Sequence, residues 1–240
     1  MKLFAFGLGY TARRVLARLP GVEASGATRD PEAARAWRRD GVAAWAVDDS
    51  AAWPALEAAL RGADALLVSA PPDGEGDPAL GRFASAIAAA PALARVVYLS
   101  SVGVYGPGRN ALEKLQRGEA RRIVKPGQVF NRIHVDDAAA VAVRLIEAGG
   151  PGGLWNVADE EPAPPQDVIV FAAELIGLPP PPEEDFASAR LTPMARSFYD
   201  DNRRVDVGKL RRELGHRWLY PTYRDGLRAL AAAGEGRATT

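Results

Sequence analysis

The chain has 240 residues, with 30 basic and 30 acidic side chains, two histidines and no cysteine. That length suits one large domain, or a domain with a small appendage, and can bury a substantial core. Balanced charge leaves no basic field to recruit nucleic acid or an anionic membrane, and the lack of cysteine excludes disulfide scaffolds, thiolate metal sites and cysteine catalysis. Two histidines exclude a histidine-rich metal centre, and no spacing of acids suggests another. The longest apolar runs span about ten residues, short of the roughly 20 that a membrane helix needs. The opening apolar stretch Leu3–Phe6 is too short for a signal peptide, so a cytoplasmic protein is expected.

From residue 1 to 106, short apolar runs alternate with alanine-rich helical stretches. Leu3–Phe6 reads as a buried strand, and Thr11–Leu19 as a helix with Ala12, Val15, Leu16 and Leu19 at helical spacing. Val22–Thr28 is the next strand. Asp30-Pro31-Glu32 opens a helix through Arg39, with a capping acid and proline at the first position. Val42–Val47 reads as a strand, Trp53–Arg61 as a helix, Ala65–Ala70 as a strand, Pro78–Ala90 as a helix and Val96–Ser101 as a fifth strand. This rhythm argues for a parallel sheet covered on both faces.

Beyond Gly106 the rhythm breaks. Asn110–Arg117 reads as a short helix, Gly118–Arg132 as a polar loop, Asp136–Glu147 as a helix opened by paired acids, and Leu154–Ala158 as a strand. Pro165–Ile176 is a helix ending at Gly177, Pro179–Pro182 a stiff linker, and Val207–Leu214 and Tyr223–Ala232 two further helices. Ala233–Thr240 is expected to be disordered.

Gly7-Leu8-Gly9-Tyr10-Thr11-Ala12 joins the first strand to the first helix. A G-x-G-x-x-A spacing turns the chain sharply, lets backbone approach a pyrophosphate and packs helix close to strand. The pattern points to a bound dinucleotide. Enzymes that prefer NAD place an acid at the end of the second strand; here Thr28 and Arg29 stand there, and an arginine suits the 2′-phosphate of NADP. Otherwise Arg29 is a solvated charge, and NAD stays an option. Asp48 either meets the adenine or closes a turn. Ser69, Ala70 and Pro71 end the fourth strand at the carboxyl edge, where open α/β sheets bind ligands.

The fifth strand runs Val97-Tyr98-Leu99-Ser100-Ser101-Val102-Gly103-Val104-Tyr105-Gly106. It resembles the extended short-chain dehydrogenase/reductases, the NAD(P)-dependent epimerase/dehydratase superfamily. Ile133-His134-Val135-Asp136-Asp137-Ala138 and Trp155-Asn156-Val157-Ala158-Asp159, followed by Pro162, are similar to two further segments of that family. Tyr10, Lys125-Pro126-Gly127-Gln128 and Tyr220-Pro221-Thr222-Tyr223 look most like its atypical branch of small epimerase-like proteins. The resemblance implies a Rossmann-type doubly wound parallel sheet over 1–106, completed by about 133–158. Residues 107–132 and 159–240 would then form a small substrate-facing part. It also implies an NAD(P) cofactor, with Ser100 beside the nicotinamide and Ser101 as the catalytic serine that hydrogen-bonds a substrate oxygen. Both serines alternatively satisfy local backbone groups.

The family's chemistry uses a Tyr-x-x-x-Lys helix after that strand, in which lysine lowers the tyrosine's pKa. No tyrosine here has lysine four residues later. Residues 102–132 are too few and too polar for the missing helix and strand, and the open sheet edge needs the next strand or a partner copy, as in a homodimer. Relatives acting on nucleotide-diphosphate sugars carry an arginine where this chain has Phe130. Arg121, Arg122, Lys125 and Arg132 either bind an anion or form a solvated basic loop. His134 reads as a packed or capping residue, His216 has no identifiable partner, and Asp159-Glu160-Glu161 reads as a turn. Two functions stand side by side. One is an oxidoreductase passing hydride to or from a small carbinol or sugar-like molecule. The other is a non-catalytic NADP-binding sensor or structural protein.

Overall fold

The computed structural model describes residues 1–72, 76–100, 110–148 and 152–236. The chain divides into two compact units, Met1–Val102 with Ala139–Gly152, and Gly103–Ala138 with Gly153–Thr240.

The first unit is a five-stranded parallel sheet. Its strands are β1 (Lys2–Phe6), β2 (Glu23–Thr28), β3 (Ala43–Ala46), β4 (Ala65–Val68) and β5 (Arg95–Tyr98), in the order β3-β2-β1-β4-β5. Successive side chains of a strand point to opposite faces, and both faces here are apolar. Leu3, Ala5, Ala65, Leu67 and Val97 pack under α1 (Tyr10–Leu16) and α2 (Pro31–Arg39) through Ala12, Val15, Ala34 and Trp37. Phe4, Phe6, Leu66 and Val68 pack under α3 (Trp53–Arg61) and α4 (Pro78–Ala88) through Leu56, Leu60, Phe83 and Ala86. Each fully buried Leu or Phe is worth about 1.5–3 kcal/mol, so β1, buried from Leu3 on, anchors the unit. Helix starts follow the capping chemistry. The Asp30 carboxylate accepts from Glu32 N at 2.9 Å, and that of Asp77 from Ala79 N and Leu80 N at 2.8 Å, each with proline at the first turn.

Helix α6 (Val135–Ala148) starts in the second unit, and from Ala139 its Ala139, Ala142 and Ile146 join the first unit's core. No strand pairs with the outer edge of β5 among the described residues. No described helix is long and apolar enough to cross a membrane.

The second unit contains α5 (Ala111–Gln116), β6 (Arg122–Val124), α7 (Pro165–Leu175), β7 (Glu183–Asp185), α8 (Pro193–Ser197), α9 (Gly208–Leu214) and α10 (Tyr223–Ala232). Leu112 and Leu115 of α5, Val168 and Ala172 of α7, and Tyr223 and Leu227 of α10 form its larger core.

Several expectations are corrected here. The expected loop 118–132 contains β6, which pairs in parallel with β7. Its signal is charge rather than apolar alternation: Arg122 meets Glu183 at 2.7 Å, and Arg121 forks onto Glu184. Leu154–Ala158 is not a strand. Its carbonyls are taken by side chains instead, Leu154 O by Lys209 at 2.9 Å and Ala158 O by the Trp218 indole at 2.7 Å. Ser69 and Ala70 leave the ladder after Val68, both amides converging on Phe6 O. Of the tail expected to be disordered, Ala233–Gly236 is folded: Glu235 accepts from Asn110, and Gly236 lies against Leu112. Residues 237–240 lie outside the described residues.

Candidate functional site

The strand order makes β1 and β4 neighbours from which the chain departs in opposite directions. Their carboxyl ends form the switch-point crevice where open α/β sheets bind ligands. The glycine turn lies at the end of β1, and Ser69-Ala70 at the end of β4.

Gly7 has φ +88°, and a Cβ there would sit 2.5 Å from Ala70 N and 2.8 Å from Ser69 C. Only glycine allows this conformation and this approach. The turn is held from three sides. The amides of Gly7 and Leu8 share Ala27 O at 2.9 and 3.2 Å. The Ser69 hydroxyl donates to Gly7 O at 2.7 Å, and the buried Trp37 indole donates to Leu8 O at 2.9 Å. The turn's carbonyls are thus occupied from the protein side. The amides of Gly9, Tyr10, Thr11 and Ala12 have no partner among the described residues. Gly9 precedes α1 without a side-chain cap, and a Cβ there would meet nothing within 4 Å. Ala12 is fully buried and lets α1 lie close to β1. The result is a fixed cradle of open donors at the positive end of a helix dipole.

The other candidates distribute unevenly around it. Thr28 closes β2: its carbonyl accepts from Val47 N at 2.9 Å, and its hydroxyl from Asp30 N at 3.4 Å. Arg29 is exposed and makes no ion pair with a described residue, while the carboxylate of Asp30 is spent on capping α2. Asp48 faces Arg82 at 3.4 Å, both exposed. Tyr10 and Ala70 are half-buried, and Pro71 and Ser100 exposed. Ser101 and Tyr105 lie outside the described residues. The sequence reading missed Trp37, a tryptophan in an amphipathic helix whose one polar atom must find a buried acceptor. Arg13 stacks on its ring at 4.2 Å and pairs with Asp40 at 3.0 Å, tying α1 to α2.

The basic residues of 121–132 serve the fold. Lys125 donates to Tyr199 O, and Arg132 donates to Phe130 O and Ala163 O at 3.0 Å each. His134 caps and packs: its Nδ1 accepts from Asp136 N at 3.1 Å, and its ring lies 4.0 Å from that of Tyr220. Asp137 stands in the first turn of its helix, as expected, and its carboxylate also reaches the tail. Fully buried, it accepts from Leu219 N at 2.8 Å and Tyr220 N at 3.0 Å, and faces His216 Nε2 at 3.5 Å, so His216 does have a partner. Burial pushes the Asp137 carboxyl up, but His216 and the two amides outweigh it and hold the group below the ordinary carboxylate value. Asp159 makes the expected turn, accepting from Glu161 N at 3.2 Å. It is also buried, and burial pushes its carboxyl up to about 7.

No family model matches the chain. A conserved protein of unknown function from Silicibacter pomeroyi is 39% identical, with a TM-score of 0.81 over 98% of this chain and 99% of that one. The chain belongs to the same family. More distant solved structures, 20% identical or less, share the fold. An NAD-dependent epimerase/dehydratase by assignment, from Methylobacillus flagellatus, is 20% identical at TM-score 0.64, covering 97% of this chain and 98% of its own. A human epimerase family protein solved with NADPH is 15% identical at TM-score 0.60, covering 97% and 99%. A 3-diazoavenalumate denitrifying reductase from a Streptomyces species is 32% identical over 104 residues, 41% of this chain. That match spans about a third of the reductase, 33% of its length.

Proposed function

We propose that this protein binds a nicotinamide dinucleotide at the Gly7–Ala12 turn, NADP in preference to NAD. We further propose that it is an oxidoreductase acting on a small carbinol or sugar-like molecule. The observation that carries the proposal is the row of amides from Gly9 to Ala12 with no partner among the described residues, beside a Gly9 whose Cβ side is open, at the switch point of the sheet. These amides would hold the pyrophosphate. Thr28 and Arg29 would hold the adenosine ribose, with Arg29 on a 2′-phosphate, since Asp30 is committed to its helix. Asp48 would border the adenine, and Ala70, Pro71 and Ser100 the nicotinamide end. Ser69 would act from behind, by fixing Gly7. The complex of the human epimerase family protein with NADPH and the partial likeness to a reductase support this direction.

A bound nicotinamide supplies or accepts hydride at its C4. The chain's part is to orient it, exclude water and polarise the substrate oxygen, the task assigned to Ser101 by resemblance. The second unit is proposed as the substrate-facing part. A second function, an NADP-binding protein without turnover, is favoured by one feature: no tyrosine is followed by lysine at the fourth position. Titration of the protein with NADPH and NADH tests cofactor binding. Substrate-dependent NADPH oxidation above background would exclude the non-catalytic alternative, and its absence across a carbinol and carbonyl panel would exclude the enzyme.

A further inference from the structure

The second unit holds a cleft of about 600 Å³ that shares no residue with the glycine turn. Arg211, His216, Arg217, Trp218 and Glu160 line it. Gly215, in left-handed conformation at φ 55°, ends α9 and reverses the chain, so that His216 turns inward, 7% exposed, while Arg217 turns out.

The imidazole is fixed from two directions. Trp218 meets it edge-on with ring centres 4.9 Å apart, and the indole N–H is itself committed to Ala158 O at 2.7 Å. Nε2 is shut off from solvent, makes no hydrogen bond, and faces the buried Oδ1 of Asp137 at 3.5 Å. Asp137 is held independently by the Leu219 and Tyr220 amides. A carboxylate behind one ring nitrogen orients the imidazole, leaving its other nitrogen as the one that can meet a ligand. Of the two guanidinium groups at the cleft, that of Arg211 is paired with Glu160 and lies 5.3 Å from the Trp218 ring. Arg217 is exposed and has no acidic partner among the described residues. The cleft thus combines an unneutralised guanidinium with an imidazole braced by a buried acid.

We propose that this cleft is a binding site for a small oxyanion, held between Arg217 and His216 with Asp137 bracing the ring. A planar guanidinium fork and an imidazole N–H are donors that phosphate and carboxylate groups take. Phosphate and carboxylate present the same acceptor chemistry, so the two sources are separated by experiment.

Two histidines in the whole chain make the test direct. The imidazole proton resonances of the intact protein are followed by NMR during titration with inorganic phosphate and, separately, acetate. Ionic strength is matched throughout, and His216→Gln assigns the signals. The expected result is a saturable shift of the His216 resonances with at least one of the two anions, while those of His134 stay. In Arg217→Ala the affinity should fall about tenfold or more. A shift with phosphate alone or acetate alone supports the site and names its class. No shift with either anion, a parallel shift of both histidines, or an undiminished response in Arg217→Ala overturns it.

Discussion

The two glycines of the turn do different work, and single methyl groups separate them. In Gly7→Ala, an L-residue is forced to φ +88°, which costs about 1–2 kcal/mol. Its Cβ also lands 2.5 Å from the Ala70 amide nitrogen, a backbone atom that cannot rotate away. Overpacking of that kind adds about 1–3 kcal/mol. The sum of about 2–5 kcal/mol corresponds to a melting point lowered by roughly 4–20 °C for a chain of this size. Gly9 has φ −96° and nothing within 4 Å of the Cβ position, so Gly9→Ala should cost the fold under about 1 kcal/mol. Under the proposed function that methyl would stand where a pyrophosphate approaches the amides, so NADPH affinity should fall at least about tenfold, or about 1.4 kcal/mol. Urea denaturation and calorimetric titration of both variants give the two numbers. A Gly7→Ala protein as stable as the parent would refute the close approach of β1 and β4 ends. A stable Gly9→Ala protein with unchanged NADPH affinity would refute phosphate binding at the turn.

Trp37→Phe keeps the ring and deletes the N–H that holds Leu8 O. Leaving that buried carbonyl unsatisfied should cost about 1–3 kcal/mol in urea denaturation and weaken NADPH binding; no change in either would remove Trp37 from the cradle. Asp137→Ala strands the amides of Leu219 and Tyr220 and should destabilise by about 3–5 kcal/mol in the same assay, whereas a loss within 1 kcal/mol would mean that the carboxylate does not anchor the tail. Asp159 keeps its proton to about pH 7 when folded but releases it near 3.8 when unfolded. Its contribution to stability therefore declines as pH rises from about 4 to about 7 and levels off above. Asp159→Asn, which retains the acceptor for Glu161 N, should lose that decline and be the more stable protein at pH 8; an identical pH profile would contradict a buried, protonated Asp159.

The sheet was legible because β1, β3, β4 and β5 are short, largely apolar runs set between punctuated helices, and the more polar β2 falls into the same rhythm. Asp30-Pro31-Glu32 marks a helix start in three residues of local chemistry, and Trp53–Arg61 has the bounds expected of it. The second unit was less legible because its organising contacts are distant in sequence and polar. Strand β6 finds β7 through arginine–glutamate pairs, and 154–158 is held by side chains rather than a ladder. At the site, the glycine spacing pointed to the turn, but what fixes it, Trp37 and Ser69 occupying the two carbonyls, depends on α2 and β4 folding over it. Asp137 and His216 sit 79 residues apart in number (216 − 137) and meet only because the tail returns to the start of α6.

Dinucleotide binding at the glycine turn is tested most directly by calorimetric titration of the purified protein with NADPH and NADH, repeated on Arg29→Ala. A ligand that binds only the folded state also raises the thermal midpoint, which gives an independent reading. Saturable binding that favours NADPH, with the preference lost in Arg29→Ala, is the expected result. If neither dinucleotide binds while the protein melts cooperatively, the turn is architecture alone and the proposed function is wrong.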